Sequence, residues 1–182
     1  MRVLLVVASQ TGRTSRMADA MAEGAREAGA RVTLVRAEDA SPDATLESDA
    51  IVLGSGVHMG GVESSMRAFL ERTAPVWLEG RLQGKLGAAF ASAGAGGRGG
   101  AELALLSMLG ALAEHGCLLV SMPNRLEGFS AGGSHWGPVA WTAPRSGEAG
   151  PTQGHLVAAR AHGGHVAECT ARWLAGEVAP PR

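Results

Sequence analysis

Residues 9 to 14 read SQTGRT and place three hydroxyls, an amide, a guanidinium and a glycine directly after an apolar run. Ser9, Gln10, Thr11, Arg13 and Thr14 are hydrogen-bonding residues, and Gly12 lets the backbone approach a ligand closely. The chemistry on offer is the binding of a small anion such as a phosphate. If a helix begins near Arg13, its unpaired N–H groups and its dipole favour negative charge at the same place. A simple helix cap needs one Ser or Thr; several here point to a ligand.

Two further stretches have the composition of ligand-lining segments. GSGVHMGG spans residues 54 to 61, and its four glycines suit a flexible, approachable loop. ASAGAGGRGG spans residues 91 to 100 and contains a literal G-x-G-x-x-G at Gly94, Gly96 and Gly99. A dinucleotide fingerprint would follow the first strand of a βαβ unit, with an acid about 20 residues on. This one follows the fourth apolar run, and residues 116 to 122 hold no acid. A glycine-lined wall for a flat ring fits better.

The histidines and cysteines are weighed in the same way. His162 and His165 are three residues apart, with His155 two turns earlier. They form a metal-ligand pattern only in part, since Cys169 alone stands at a matched spacing, and an exposed helix face is expected. Cys117 opens an apolar run and is expected to be inert. Lys85 opens another and is expected at a solvent-facing edge. Trp173 is expected in the core or at an interface.

The elements that must position these residues follow from periodicity. Arg2 to Ala8 is an apolar run without alternation, the pattern of a strand covered on both faces. Met17, Ala18, Met21, Ala22 and Ala25 recur at spacings of three and four, giving an amphipathic helix over 13 to 28 that Gly29 ends. Strands are expected at 31–35, 50–54, 85–91 and 117–122, and helices at 63–73, 101–115 and 152–175. Residues 38–48 suit a loop or short helix. Residues 123–150, rich in Gly, Pro and Ser, suit a long loop of functional kind. Strands alternating with helices imply α/β architecture with a parallel sheet. Right-handed crossovers bring the carboxyl ends of the strands to one edge, where ligands of such sheets bind.

The chain has 182 residues, expected as a single domain spanning 1–182, with a net charge of −1 and two cysteines without paired spacing. The charge argues against nucleic acid or an anionic membrane surface as a partner. No stretch approaches the roughly 20 apolar residues of a membrane span. A reduced, cytoplasmic setting is the expectation. No internal repeat is seen, and the 27 glycines with abundant alanine are consistent with close backbone packing.

TGRTSRMA, residues 11 to 18, matches the flavodoxin phosphate-loop pattern T-G-x-T-x-x-x-A. Residues 77–116, GGSHWGPVAW at 132–141 and GPTQGHLVAARAHGGHVAE at 150–168 are similar to the WrbA-type NAD(P)H:quinone oxidoreductases of the flavodoxin-like FMN-binding family. The resemblance covers nearly the whole chain. It implies a flavodoxin-like three-layer sandwich, with a five-stranded parallel sheet of order 2-1-3-4-5 and helices on both faces. It implies noncovalent FMN, with NAD(P)H as co-substrate and a quinone-like small molecule as acceptor. Carried over to matching positions, Ser9, Thr11, Gly12, Arg13 and Thr14 hold the phosphate; Gln10 is a further cofactor-binding candidate in the loop, and Gln10 and Arg13 depart from the family's usual residues. Ser55, Gly56, Val57, His58 and Met59 line one side of the ring, and Ser92, Ala93, Gly94, Gly96 and Gly97 another. Trp77 matches a tryptophan near the flavin, of its own subunit or a neighbour's. His135 falls near the substrate face and is the candidate catalytic residue. Relatives with this long loop assemble as homodimers or homotetramers. GSGVHMGG departs from the G-T-P-T-R-[FY]-G stretch typical of these reductases: His58 and Met59 stand where they have an arginine and an aromatic.

Competing classes are tested by residues that are missing. A receiver domain needs an Asp after the third strand, where Gly54 and Ser55 stand, and a P-loop needs G-K-[ST], which is absent. An electron-carrier flavodoxin remains an alternative. Carriers tend to be strongly acidic and to flank the ring with Trp and Tyr, and this chain has no Tyr. A flavin-binding regulator without turnover is the third reading.

Overall fold

In the computed structural model, which describes residues 1–94, 100–142 and 150–176, the apolar run at the start is the centre of the architecture. It forms β1 (Arg2–Ala8), followed by α1 (Arg13–Glu27), β2 (Arg31–Arg36), α2 (Asp43–Leu46), β3 (Ala50–His58), β4 (Gly61–Val62), α3 (Ser64–Arg72) and α4 (Ala74–Leu78). Then come β5 (Leu86–Gly94), α5 (Gly100–Glu114), β6 (Leu118–Leu119), α6 (Phe129–Gly132), β7 (Val139–Thr142) and α7 (Gln153–Leu174). The main path of the sheet is β2-β1-β3-β5-β6 and all parallel, matching the expected order. Period-two alternation divides the core. Leu4, Val6, Ile51, Leu53, Ala89 and Ala91 face α3, α4 and α5, and Val3, Leu5, Val7, Val52, Ala88 and Phe90 face α1 and α7.

Several boundaries differ from expectation. The 54–61 segment is a hairpin rather than a glycine loop. β3 continues to His58, and β4 returns antiparallel, with Val57 opposite Val62 and His58 opposite Gly61. Its turn residues Met59 (φ 48°) and Gly60 (φ 81°) both have positive φ, as a two-residue turn matched to strand twist requires. The expected fourth strand likewise runs on to Gly94.

The fifth strand position is split. β6 pairs only with Leu86 and Gly87 at the foot of β5, while β7 pairs with Ala91 to Gly94 at its head. The expected long loop therefore contains α6 and β7, and it supplies the upper half of the outer strand.

α1 and α7 cross at glycines. A Cβ at Gly24 would collide with the Arg160 carbonyl, and one at Gly163 with the Met21 carbonyl. The two backbones touch there, so glycine at these two positions reflects close helix packing. At the exposed margin Arg160 Nε donates to Glu27 Oε2 at 2.9 Å.

The face of α7 also corrects the reading of its histidines. Thr152 caps the helix reciprocally with His155: its N–H donates to His155 Nδ1 at 3.1 Å, and its Oγ1 accepts from the His155 N–H at 3.4 Å. His162 is fully buried rather than exposed. Burial, with the neighbouring His165, pushes it down to about 4; the backbones of Val120 and Ser121 favour the charged form too weakly to offset this. Among the described residues no group of three ligating side chains could hold a metal. Lys85 is also not a plain solvent group: it is half-buried, and its Nζ donates to the carbonyls of Leu46 (2.8 Å) and Ser48. Trp173 is exposed, not in the core. Cys117 is buried, burial pushes its thiol up to about 11, and it behaves as the inert group expected.

Candidate functional site

The carboxyl ends of β1, β3 and β5 meet at one edge, and the first loop to reach it is SQTGRT. Gly12 caps α1 at φ 78°, a left-handed conformation that glycine adopts without strain, so the chain can turn sharply into the helix. Ser9 is buried, and its Oγ accepts the first-turn N–H of Ser15 at 3.3 Å. Gln10 and Thr11 are exposed at the apex of the loop. Thr14, in the first turn, is buried and faces the sheet.

Thr14 is the meeting point of the site. Its Oγ1 lies 2.7 Å from Ser92 Oγ on β5. Thr142, at the end of β7, donates to the Ala93 carbonyl at 3.2 Å and receives Arg13 Nη1 at 3.5 Å. Hydroxyls from three elements and one guanidinium thus gather where α1 opens. A Cβ at Gly56 would meet His58 Nε2 at 3.3 Å, Thr14 Oγ1 at 3.5 Å and Glu63 Oε2 at 3.6 Å. A side chain at this position would fill a small polar recess that glycine leaves open. Gly94 and Gly12 have nothing within 4 Å of the same position.

The hairpin presents alternate residues. Ser55 and Val57 face away from α1. The Ser55 hydroxyl is fully buried, donates to the Gly56 carbonyl and accepts the Glu63 N–H, each at 2.8 Å. Ser55 therefore locks the hairpin to α3 instead of offering a free hydroxyl to a ligand. Val57 packs on the start of α5, near Gly100. Gly56 and His58 share the face that carries Thr14 and Ser92. Met59 is fully exposed at the turn.

Two predicted residues are not joined to this cluster. His135 has its Nδ1 3.4 Å from the Met122 carbonyl and its ring 5.2 Å from that of Phe129. These contacts lie within the insertion between β6 and β7, and they hold His135 to the segment after β6 rather than to the loops after β1, β3 and β5. Trp77 lies at the opposite edge of the sheet. Its Nε1 donates to the Glu114 carbonyl at 3.1 Å, at the end of α5, and its ring is exposed. Beside it Thr73 Oγ1 and His115 Nε2 are 2.9 Å apart, and burial lowers the affinity of His115 for its proton. Gly96 and Gly97 lie outside the described residues, as does Gly99.

The structure adds two residues that the sequence reading did not select. Thr142 sat inside a segment read as loop, and only strand pairing brings it to Ala93. In the sequence Glu63 marks only the start of a helix. Its carboxylate is buried, with Oε1 accepting from Ser65 Oγ at 3.1 Å and Oε2 lacking a hydrogen bond. Its spacing of five from His58 across two glycines was the available signal of a hairpin that would bring them together.

The donor set fits a phosphate ester with a planar group beside it. The hydroxyls, the helix N-terminus and Arg13 suit the anion, and the open position at Gly56 with the small residues at the head of β5 suits a ring edge.

A family profile described as a flavodoxin domain matches residues 4–95. The chain is 34% identical to a protein of Rhizobium rhizogenes named NAD(P)H dehydrogenase (quinone), over 96% of this chain and 99% of that one. It is 36% identical to a protein of the same name from Paraburkholderia phymatum, over 94% and 98%. Among solved structures it is similar to a WrbA-like flavodoxin protein from Agrobacterium tumefaciens, with a TM-score of 0.71 and 25% identity over 94% of this chain and 98% of that one.

Proposed function

This chain belongs to the flavodoxin family, and from that premise we propose that it is an FMN-dependent NAD(P)H oxidoreductase that reduces quinones or similar small acceptors by two-electron transfer. The observation that carries the reading is the gathering of Ser9, Arg13, Thr14, Ser92 and Thr142 at the carboxyl edge, beside the recess at Gly56. Near-full-length similarity to proteins named NAD(P)H dehydrogenase (quinone) supports it. No helix among the described residues is long and apolar enough to cross a membrane.

FMN, when bound, supplies the hydride and electron chemistry that no side chain here can. The protein's own part is positioning. Thr14, Ser9 and the first turn of α1 would hold the phosphate, with Arg13 adding charge from the side of Thr142. The Thr14–Ser92 contact ties the phosphate loop to β5, so the cradle and the ring wall are held as one unit. The backbone of 55–57 would line the ring, and Val57 and Ser55 fix that backbone from behind.

Trp77 lies at the far edge from its own chain's site. If it stacks near a flavin, that flavin belongs to a second copy, and assembly as a homodimer or homotetramer follows.

The test is to add FMN to the protein, remove oxygen, and follow the flavin's visible band while NADH or NADPH is mixed in. Bleaching that a quinone reverses is the expected result. Binding without bleaching would leave a carrier or a regulator, and failure to bind would refute the cradle.

A further inference from the structure

The least explained group at the site is a buried carboxylate with a free oxygen. Glu63 caps nothing: at the N-terminus of α3 its side chain makes no cap hydrogen bond. Its N–H is held by Ser55 Oγ and its Oε1 by Ser65 Oγ, so its position is fixed. Its Oε2 is buried, without a hydrogen bond, and 3.7 Å from His58 Nε2. A buried carboxylate oxygen without a partner is costly, and the group it faces is the imidazole across the hairpin. The two side chains are unequal: Glu63 is 6% exposed and His58 43%. One end of the pair is anchored in the protein and the other opens to solvent at the recess, beside Thr14 and Gly56. The separation is longer than a hydrogen bond, as is common for catalytic pairs before substrate arrives. Arg13 also reaches this edge, with its guanidinium on Thr142.

We infer that His58 is the proton donor to the acceptor's carbonyl oxygen, and that Glu63 is the residue that positions its ring. The inference rests on the quinone-reducing reading above. A quinone receives two electrons and one proton as a hydride equivalent, supplied by the reduced nicotinamide by way of the bound flavin, and becomes a hydroquinone monoanion. The Nδ1–H bond of the doubly protonated His58 ring, whose Nε2 is turned to Glu63, then breaks and an O–H bond forms, giving neutral hydroquinone and a neutral imidazole. The imidazole regains its proton from water, to which it is open. Glu63 compensates the imidazolium charge and holds the ring toward the recess.

The test compares an acceptor that needs a proton with one that does not. Wild type, His58→Gln and Glu63→Gln, each loaded with FMN, are assayed with benzoquinone and with ferricyanide, a one-electron acceptor that takes no proton. Loss of a general acid is expected to lower the ratio of quinone to ferricyanide turnover by roughly 100-fold in His58→Gln, and loss of the positioning carboxylate by about tenfold in Glu63→Gln. A second readout needs no flavin. In the nitrogen–proton NMR spectrum of the flavin-free protein, a resolved His58 ring N–H is expected in wild type, held by Glu63, and is expected to be exchange-broadened away in Glu63→Gln. A parallel change with both acceptors, or a ring N–H indifferent to Glu63→Gln, overturns the inference and leaves the flavin reading standing. Failure of wild type to bind FMN overturns both.

Discussion

Thr14 Oγ1 and Ser92 Oγ lie 2.7 Å apart although 78 residues separate them in the chain. The contact joins the first turn of α1 to the head of β5, so the segments that follow β1 and β5 share a fixed point. Both side chains are buried, so the pair is held by the fold before any ligand arrives.

Replacing Thr14 by Val keeps its shape and removes both the link and a phosphate donor. Hydrogen bonds to a charged group contribute about 1.5–3 kcal/mol, so FMN should bind roughly 10- to 100-fold more weakly. Titration by flavin fluorescence measures this directly. Unchanged affinity would remove Thr14 from the cradle.

The α1–α7 crossing gives a stability prediction independent of function. At Gly163 an added methyl meets the Met21 backbone, which cannot rotate away. Gly163→Ala should cost about 1–3 kcal/mol through overpacking, although alanine is the better helix former. Urea unfolding would show it. A stabilised variant would mean that the two helices are not in contact at this point.

Met59 is a non-glycine residue at φ 48°, fully exposed at the hairpin turn. A left-handed residue with a Cβ is strained by roughly 1–2 kcal/mol. Met59→Gly should relieve much of this, less the entropy glycine adds to the unfolded chain, for a net gain of about 0.5–1 kcal/mol. Thermal unfolding tests it. A destabilised variant would mean that the methionine side chain makes a contact that matters.

His162 makes the fold sensitive to acid. It is fully buried, its proton affinity is lowered from 6.5 to about 4, and desolvation is the leading cause. Above pH 6.5 it is neutral whether folded or unfolded and contributes no pH dependence. As pH falls below 6.5 the unfolded chain takes up the proton and the folded one does not, so stability falls until the folded form titrates near 4. The full loss is on the order of 3 kcal/mol. His162→Leu should flatten the stability curve between pH 6.5 and 4, as measured by denaturant unfolding at a series of pH values. An equally steep curve in that variant would place the sensitivity elsewhere.

Local pattern was enough for the frame and for the hydroxyl-rich turn that joins β1 to α1. The unbroken run at 2–8 specified a strand covered on both sides, and the three- and four-residue spacing of Met17, Met21 and their neighbours specified the helix that covers it. Strand, hydroxyl-rich turn and helix are consecutive in the chain, so Ser9, Arg13 and Thr14 were legible together. Features that depend on partners distant in sequence were not. Glycines in 54–61 read as loop because their strand pairing depends on Val57 meeting Val62 across a turn. His162 read as exposed because the amphipathic period says which residues share a face and not how many neighbours cover it, and here the segment after β6, at Val120 and Ser121, lies against it. Thr142 and Glu63 reach the site only because β5 accepts β7 along its upper edge and the β3–β4 hairpin returns the chain beside His58. Sequence by itself determined which faces must be buried, since hydrophobic periodicity is local. The tertiary structure alone decided which polar groups converge, since that depends on register and packing between segments far apart in the chain.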